Sequence, residues 1–150
     1  MLMDMIRDAT SDDLPALVRL LGQLNETAWP GAHRAASRRV RGCGRRRAAA
    51  ALVVERDGAV VGTAVLVIVP NLGHDGAPYA LIENVVVDEA ARGAGHGERL
   101  LRYMIDEARA AGCYKVVLTS RKSRQDAHRF YERIGFTATS EGFRHTLIPG

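Results

Sequence analysis

Apolar positions along this chain follow two periods. Leu14, Leu17, Val18, Leu21 and Leu24 recur every three or four residues and give one apolar helix face. Ser11 offers its N-cap, Pro15 sits early enough to be tolerated, and Trp29-Pro30-Gly31 ends it. Leu100, Leu101, Met104, Ile105 and Ala108 form a second stripe, on a helix over residues 95–110 with Gly112 as its stop. Residues 125–134 read as a further helix, with Gly135 just past its end. The other apolar runs are short and rich in β-branched residues, as strands are. They cover residues 3–7, 52–55, 60–67, 79–87 and 114–119, with Asp57-Gly58 as a hairpin turn between the second and third. Residues 136–139 and 143–147 read as a closing hairpin, and residues 71–78 as a loop.

This order of hairpins and helix crossovers predicts an α/β (α+β) fold, a mixed sheet with helices packed on it. One domain over residues 1–150 is the expectation for this length. Residues 32–48 favour a helix by propensity, but they hold almost no large apolar residue, and Gly42 and Gly44 weaken it.

Composition narrows the class. A chain that is 47% hydrophobic and 25% charged has ordinary globular composition rather than that of a disordered one. Cys43 and Cys113 are too few for a disulfide framework and lack metal-ligand spacing, and the five histidines show no metal pattern, so no metal is expected. No stretch reaches the ~18 apolar residues of a membrane helix, and the first ten residues carry charges that a secretory signal would not. A cytoplasmic protein with no membrane partner is the expectation. The net charge of +4 is modest, but seven arginines fall between Arg34 and Arg47. That density suits a phosphate-rich ligand or a solvated helix face. The segment lacks interleaved aromatic residues, which counts against nucleic acid.

The chemistry-bearing feature is the run Ala80-Leu81-Ile82-Glu83-Asn84-Val85-Val86-Val87, which leads into Arg92-Gly93-Ala94-Gly95-His96-Gly97 and then an amphipathic helix. Glycines let backbone N–H groups approach a ligand closely, and a helix N-terminus adds partial positive charge. The construction suits a phosphate or pyrophosphate, with Arg92 as a cation at the rim. A plain structural turn is the alternative. The dinucleotide fingerprint fails on glycine spacing and on the missing acidic residue, since Gly112-Cys113-Tyr114 stand where it belongs. The kinase-type loop fails for want of Gly-Lys-Ser/Thr.

The pattern Arg92-x-x-Gly95-x-Gly97 after this strand resembles the acetyl-CoA-binding motif of the GNAT superfamily of N-acetyltransferases. Ala127-His128-Arg129-Phe130-Tyr131 followed by Gly135-Phe136 is similar to that superfamily's second signature, A-x-x-F-Y-x-x-x-G-F. The resemblance implies a mixed, mostly antiparallel sheet of about seven strands flanked by about four helices. It places the cofactor, acetyl-CoA, where strands four and five splay apart. Cofactor-binding residues by this resemblance are Val85, Val86, Val87, Arg92, Gly93, Ala94, Gly95, His96, Gly97, Arg124, Ala127 and Phe130, with His96 a solvent-facing spacer. Arg124 departs from the family, which often has asparagine there. It either contacts phosphate or is solvated.

Acetyl transfer to an amine needs a base, an oxyanion site and an acid for the leaving thiolate. Tyr131 stands where the family's acid usually lies; the alternative is a packed core aromatic. Tyr114 and Tyr79 are weaker candidates. Backbone N–H groups of Val85, Val86 and Val87 are implied for the oxyanion. Glu83 is the candidate base, because an acid in an apolar strand is costly unless paired, solvent-facing or functional. Whether Glu83 or Asn84 faces the core depends on a bulge common in this family's fourth strand. Cys113 reads as a small core residue rather than a nucleophile, and His128 as lining the acceptor cleft or surface-exposed.

The resemblance is to small-molecule members, with amino-sugar phosphates or aminoalkylphosphonates as acceptors of the expected kind. Residues 70–78 and the arginine segment are the candidate walls of the acceptor site. A protein or peptide N-terminus as acceptor, or a non-catalytic acetyl-CoA-binding module, remain the alternatives. A homodimer through the C-terminal hairpin or residues 32–48 is compatible with the family.

Overall fold

A central sheet runs in the order β1-β2-β3-β4-β5, from Met5–Asp8, Ala49–Arg56, Ala59–Val69, Tyr79–Val87 and Val116–Leu118. Helices α1 (Leu14–Leu24), α2 (His96–Ala110) and α3 (Gln125–Ile134) complete the regular elements of this computed structural model, which describes residues 3–24 and 49–148. The arginine-rich segment and the expected helix end at Trp29 lie outside the described residues. Contacts divide the chain into two compact units, Met1–Leu118 and Thr119–Gly150.

In the first unit, strands β1 to β4 pair antiparallel and β5 joins β4 in parallel. The mixed sheet with helices is the expected fold class. Asp57 and Gly58, at φ 53° and 77°, make the predicted hairpin turn. Leu52, Val53 and Val54 are successive in β2, so they point to alternate faces, and all are buried. Both faces of the sheet are therefore covered. Helix α1 packs on β3 and β4, and α2 on β2, β3 and β4. Leu100, Leu101, Met104 and Ala108 of α2 are buried as the spacing predicts. In α1 the fully buried residue is Leu20, which the expected stripe passed over, and Leu17 is buried beside it.

The entry into α1 differs from the expected Ser11 cap. Thr10 caps a short 3-10 turn, Ser11–Asp13, and forms a capping box with Asp13. Asp13 also takes two bonds from Arg7, at 2.7 and 2.9 Å, and Arg7 Nε donates to Glu55 at 2.8 Å. The Arg7 guanidinium holds the buried Asp13 carboxyl below the usual carboxylate range, against the effect of burial.

In the second unit, Gly135 at φ 114° ends α3 as predicted, and Phe136 N–H bonds back to Tyr131 C=O at 3.0 Å. The expected closing hairpin is corrected: residues 136–139 and 143–147 form no strand. These residues bury little, with Phe143 95% exposed, and β-propensity acts only where a pleated, half-buried surface receives the side chains. The sheet thus has five strands among the described residues, against about seven expected.

Candidate active site

The parallel pairing of β4 with β5 ends at Ile82 and Leu118, while β4 continues to Val87. On the side of β4 away from β3, the backbone from Glu83 to Val87 therefore has no strand partner among the described residues. Inside this stretch Ala64 of β3 faces two residues, Asn84 and Val85, because the register shifts between Thr63 and Val65. Asn84 takes the left-handed conformation, φ 55°, which asparagine tolerates better than most residues. The bulge exposes Asn84 and leaves Glu83 half-buried. Among the described residues the Glu83 carboxylate has no hydrogen-bond or ion-pair partner.

Beyond Val87 the chain turns through a 3-10 turn, Glu89–Ala91, into the glycine segment and α2. Gly95, the N-cap of α2, has φ 84° and Gly93 has φ 86°, a region that residues with a Cβ rarely adopt. The N–H groups of the first helical turn have no partner within the helix, and the dipole of fifteen residues adds to their field. Arg92 is exposed at this rim, its Nε donating to Val87 C=O at 3.1 Å.

Two anchors, both missed in the sequence, hold the turn. Asp88 accepts from Ala90 N–H at 3.1 Å and pairs with Arg19 of α1. Gln23 of α1 adds a bond to Asp88 at 3.4 Å and accepts from Glu89 N–H at 3.0 Å. The bond from Arg19 and the backbone bond from Ala90 hold the Asp88 carboxyl below its usual range. The second anchor corrects the reading of His96 as a solvent-facing spacer. His96 is 3% exposed, and its Nδ1 lies 2.6 Å from Asp4 Oδ2. A carboxylate only accepts, so Nδ1 carries the proton. Asp4 also receives Arg99 Nε at 2.6 Å and Arg56 at 3.3 Å. Burial opposes its ionisation, but the bonds from His96 and Arg99 outweigh this and hold the carboxyl below the usual range.

In the second unit, Arg124 is the exposed N-cap of α3, and Ala127 and Phe130 are half-buried on the helix. Tyr131 is buried between Phe130 and Phe136, with ring centroids 5.4 and 6.1 Å away. Burial pushes its phenol pKa up, and the Arg124 charge offsets part of this. The phenol is therefore protonated at neutral pH. His128 Nε2 bonds to Arg121 C=O at 2.9 Å, so that nitrogen is engaged by the backbone. Cys113 is half-buried, and burial raises its thiol pKa, which disfavours the thiolate a nucleophile needs. Among the described residues no cluster of His, Cys, Asp and Glu could hold a metal, and no helix is long and apolar enough to cross a membrane.

The sequence profile of the Acetyltransferase (GNAT) family matches residues 14–136. The chain is 40% identical over 90 residues to a glucosamine 6-phosphate N-acetyltransferase of Trypanosoma brucei brucei, covering 60% of this chain and 59% of that protein. It is 36% identical over 92 residues to an aminoalkylphosphonate N-acetyltransferase of Salmonella typhimurium, covering 61% and 59%. Both alignments thus span under two thirds of the relative's length. A solved structure from Agrobacterium tumefaciens str. C58, provisionally assigned as an acetyltransferase, superposes with TM-score 0.87 at 37% identity, covering 95% of this chain and 99% of that one.

Proposed function

The chain belongs to the acetyltransferase (GNAT) family, and from that premise we propose that it transfers acetyl from acetyl-CoA to a primary amine of a small molecule. The observation that carries this reading is the edge of β4 from Glu83 to Val87 away from β3, which has no strand partner among the described residues and leads into the glycine turn and the N-terminus of α2. An extended pantetheine amide can pair with a free strand edge, and a pyrophosphate suits the free N–H groups at a helix start.

Acetyl-CoA supplies an activated thioester; the chain's own groups bind, orient and move protons. Arg92 and the backbone of Gly93, Ala94, Gly95, His96 and Gly97 cradle the pyrophosphate, with the His96 side chain turned inward to Asp4. Backbone N–H groups of Val85, Val86 and Val87 receive the pantetheine and the carbonyl oxygen. Glu83, unpaired and half-buried, takes the proton from the attacking amine, directly or through water. Tyr131 returns a proton to the departing thiolate. Its assignment rests on the A-x-x-F-Y pattern and on burial keeping the phenol protonated. The roles of Arg124, Ala127 and Phe130 rest on the same pattern.

For the acceptor, the two relatives named above act on a sugar phosphate and on phosphonates, amines joined to a phosphorus oxyanion. A phosphorylated or phosphonate amine also fits the surplus of Arg and Lys. The test is thiol release from acetyl-CoA across a panel: glucosamine 6-phosphate, glucosamine, 2-aminoethylphosphonate, ethylamine and a peptide with a free N-terminus. Release should be fastest with the two phosphorus-bearing amines. Faster release with the peptide would overturn the small-molecule reading, and acetyl-CoA binding without release for any amine would mark a non-catalytic module.

A further inference from the structure

The buried carboxylate of Asp4 is separated from α2 by most of the first unit's sequence, yet three basic side chains converge on it. Oδ2 takes both His96 Nδ1 and Arg99 Nε at 2.6 Å, and Oδ1 takes Arg56 at 3.3 Å. The Asp4 side chain is 1% exposed. This clamp fixes how Arg99 lies. With Nε committed to Asp4, the guanidinium extends along the turn, and Nη2 donates to Ala94 C=O at 2.8 Å. Nη1 then stands beside Gly95, 2.9 Å from where a Cβ on that glycine would be. Among the described residues Nη1 has no hydrogen-bond partner, and the Arg99 side chain is 46% exposed.

Charge in this cluster is unbalanced. Asp4 carries one negative charge against the guanidinium groups of both Arg56 and Arg99, so positive charge is left over at the turn. Glu98, the acidic residue of the first helical turn, is engaged by Arg102 at 2.8 Å. A tie that only held the turn together would be complete with the bonds from Nε and Nη2. Nη1 is left as a cationic donor beside Gly95, able to take a phosphate oxygen. The N–H groups of His96, Gly97 and Glu98, in the first turn of the same helix, have no partner within it.

We propose that Arg99 is a second cation for the pyrophosphate of acetyl-CoA, beside Arg92, and that Asp4 is the positioning residue that aims it. The inference rests on the acetyl-CoA reading of the turn. It goes beyond the R-x-x-G-x-G pattern, which includes neither residue.

The test compares dissociation constants, by calorimetry at low salt, for CoA and for dephospho-CoA, which keeps the pyrophosphate and lacks the 3′-phosphate. Arg99→Ala, at an exposed side chain, should weaken both ligands by the same factor, about tenfold for a lost charged hydrogen bond. Arg99→Lys should fall between, keeping charge without a guanidinium that can hold Asp4 and Ala94 while its third nitrogen faces the ligand. Asp4→Asn should raise the KM for acetyl-CoA with little change in kcat, and should add nothing further in an Arg99→Ala background. Melting temperatures of every variant ensure that binding is read on folded protein. Wild-type affinity for both ligands in Arg99→Ala would overturn the proposal. So would a loss confined to CoA, which would assign Arg99 to the 3′-phosphate. An undiminished Asp4→Asn effect in the Arg99→Ala background would overturn the positioning role. Failure of the wild-type protein to bind CoA at all would instead refute the acetyl-CoA reading itself.

Discussion

The loops at the two ends of β4 are alike in composition. The entering loop holds Asn71, Gly73, Asp75, Gly76 and Pro78; the leaving one holds Asp88, Gly93, Gly95 and Gly97. Their wiring differs. In the entering loop, His74, Asp75 and Gly76 take positive φ in succession, at 49°, 56° and 78°. The loop is tied mainly to itself: Asn71 Nδ2 donates to Gly73 C=O at 3.0 Å and Ala77 C=O at 3.3 Å, and His74 stacks on Tyr114 at 3.8 Å. It delivers the chain into a strand whose N–H groups are used by neighbours. The leaving loop is tied to distant elements, to α1 through Asp88 and to the chain start through His96 and Arg99. It delivers the chain into a helix whose first N–H groups have no partner within the helix. Glycine content therefore does not mark a ligand turn. What separates the two loops is the helix start beyond the glycines and the distant braces at Asp88, His96 and Arg99.

The largest expected effect on this contrast comes from Gly95→Val. A β-branched residue cannot take φ 84° cheaply, and its Cβ would press on the Arg99 guanidinium, 2.9 Å from Nη1. CoA affinity measured by calorimetry should fall by about a hundredfold or more, ~2.7 kcal/mol. Tyr131→Phe separates binding from chemistry. kcat should drop by about a hundredfold, the scale of a lost general acid, while CoA affinity stays within about twofold. Asp88→Asn removes a charge whose partner Arg19 is largely solvated, so KM for acetyl-CoA should rise only roughly two- to fivefold in steady-state assays. Lowering pH attacks the Asp4 brace and the Asp13 cap of α1 together. The carboxyl groups of Asp4 and Asp13 are held below the usual carboxylate range, so their contribution is full above that range and is lost as pH falls through the folded values. Thermal stability followed by circular dichroism should decline below about pH 4. The smallest effect is reserved for the entering loop. Asn71→Ala should cost about 1 kcal/mol and lower Tm by about 2–4 °C, with CoA affinity unchanged.

Much of the leaving loop was legible because its signals are contiguous. A β-rich run, closely spaced glycines and an amphipathic stripe lie close together in sequence, and Gly112 and Gly135 ended their helices as expected. The Asp4–His96 pair spans 92 positions and has no local signature, so His96 passed for a solvent-facing spacer. Arg99 was hidden for the same reason: on a helical wheel it is one more polar-face residue. The closing hairpin was over-read from β-propensity, in residues that the fold leaves without a pairing strand. Asn84 was the one local clue to the bulge, a residue tolerant of positive φ inside an apolar strand.

On the proposed function, acetyl-CoA sits along the edge of β4 away from β3 and on the turn beyond it. Titrating acetyl-CoA into uniformly 15N-labelled protein tests this directly. Saturable amide shifts should concentrate at residues 83–87 and 92–98, with residues 71–78 almost unmoved. Shifts centred on residues 71–78, or none at saturating acetyl-CoA, would contradict it.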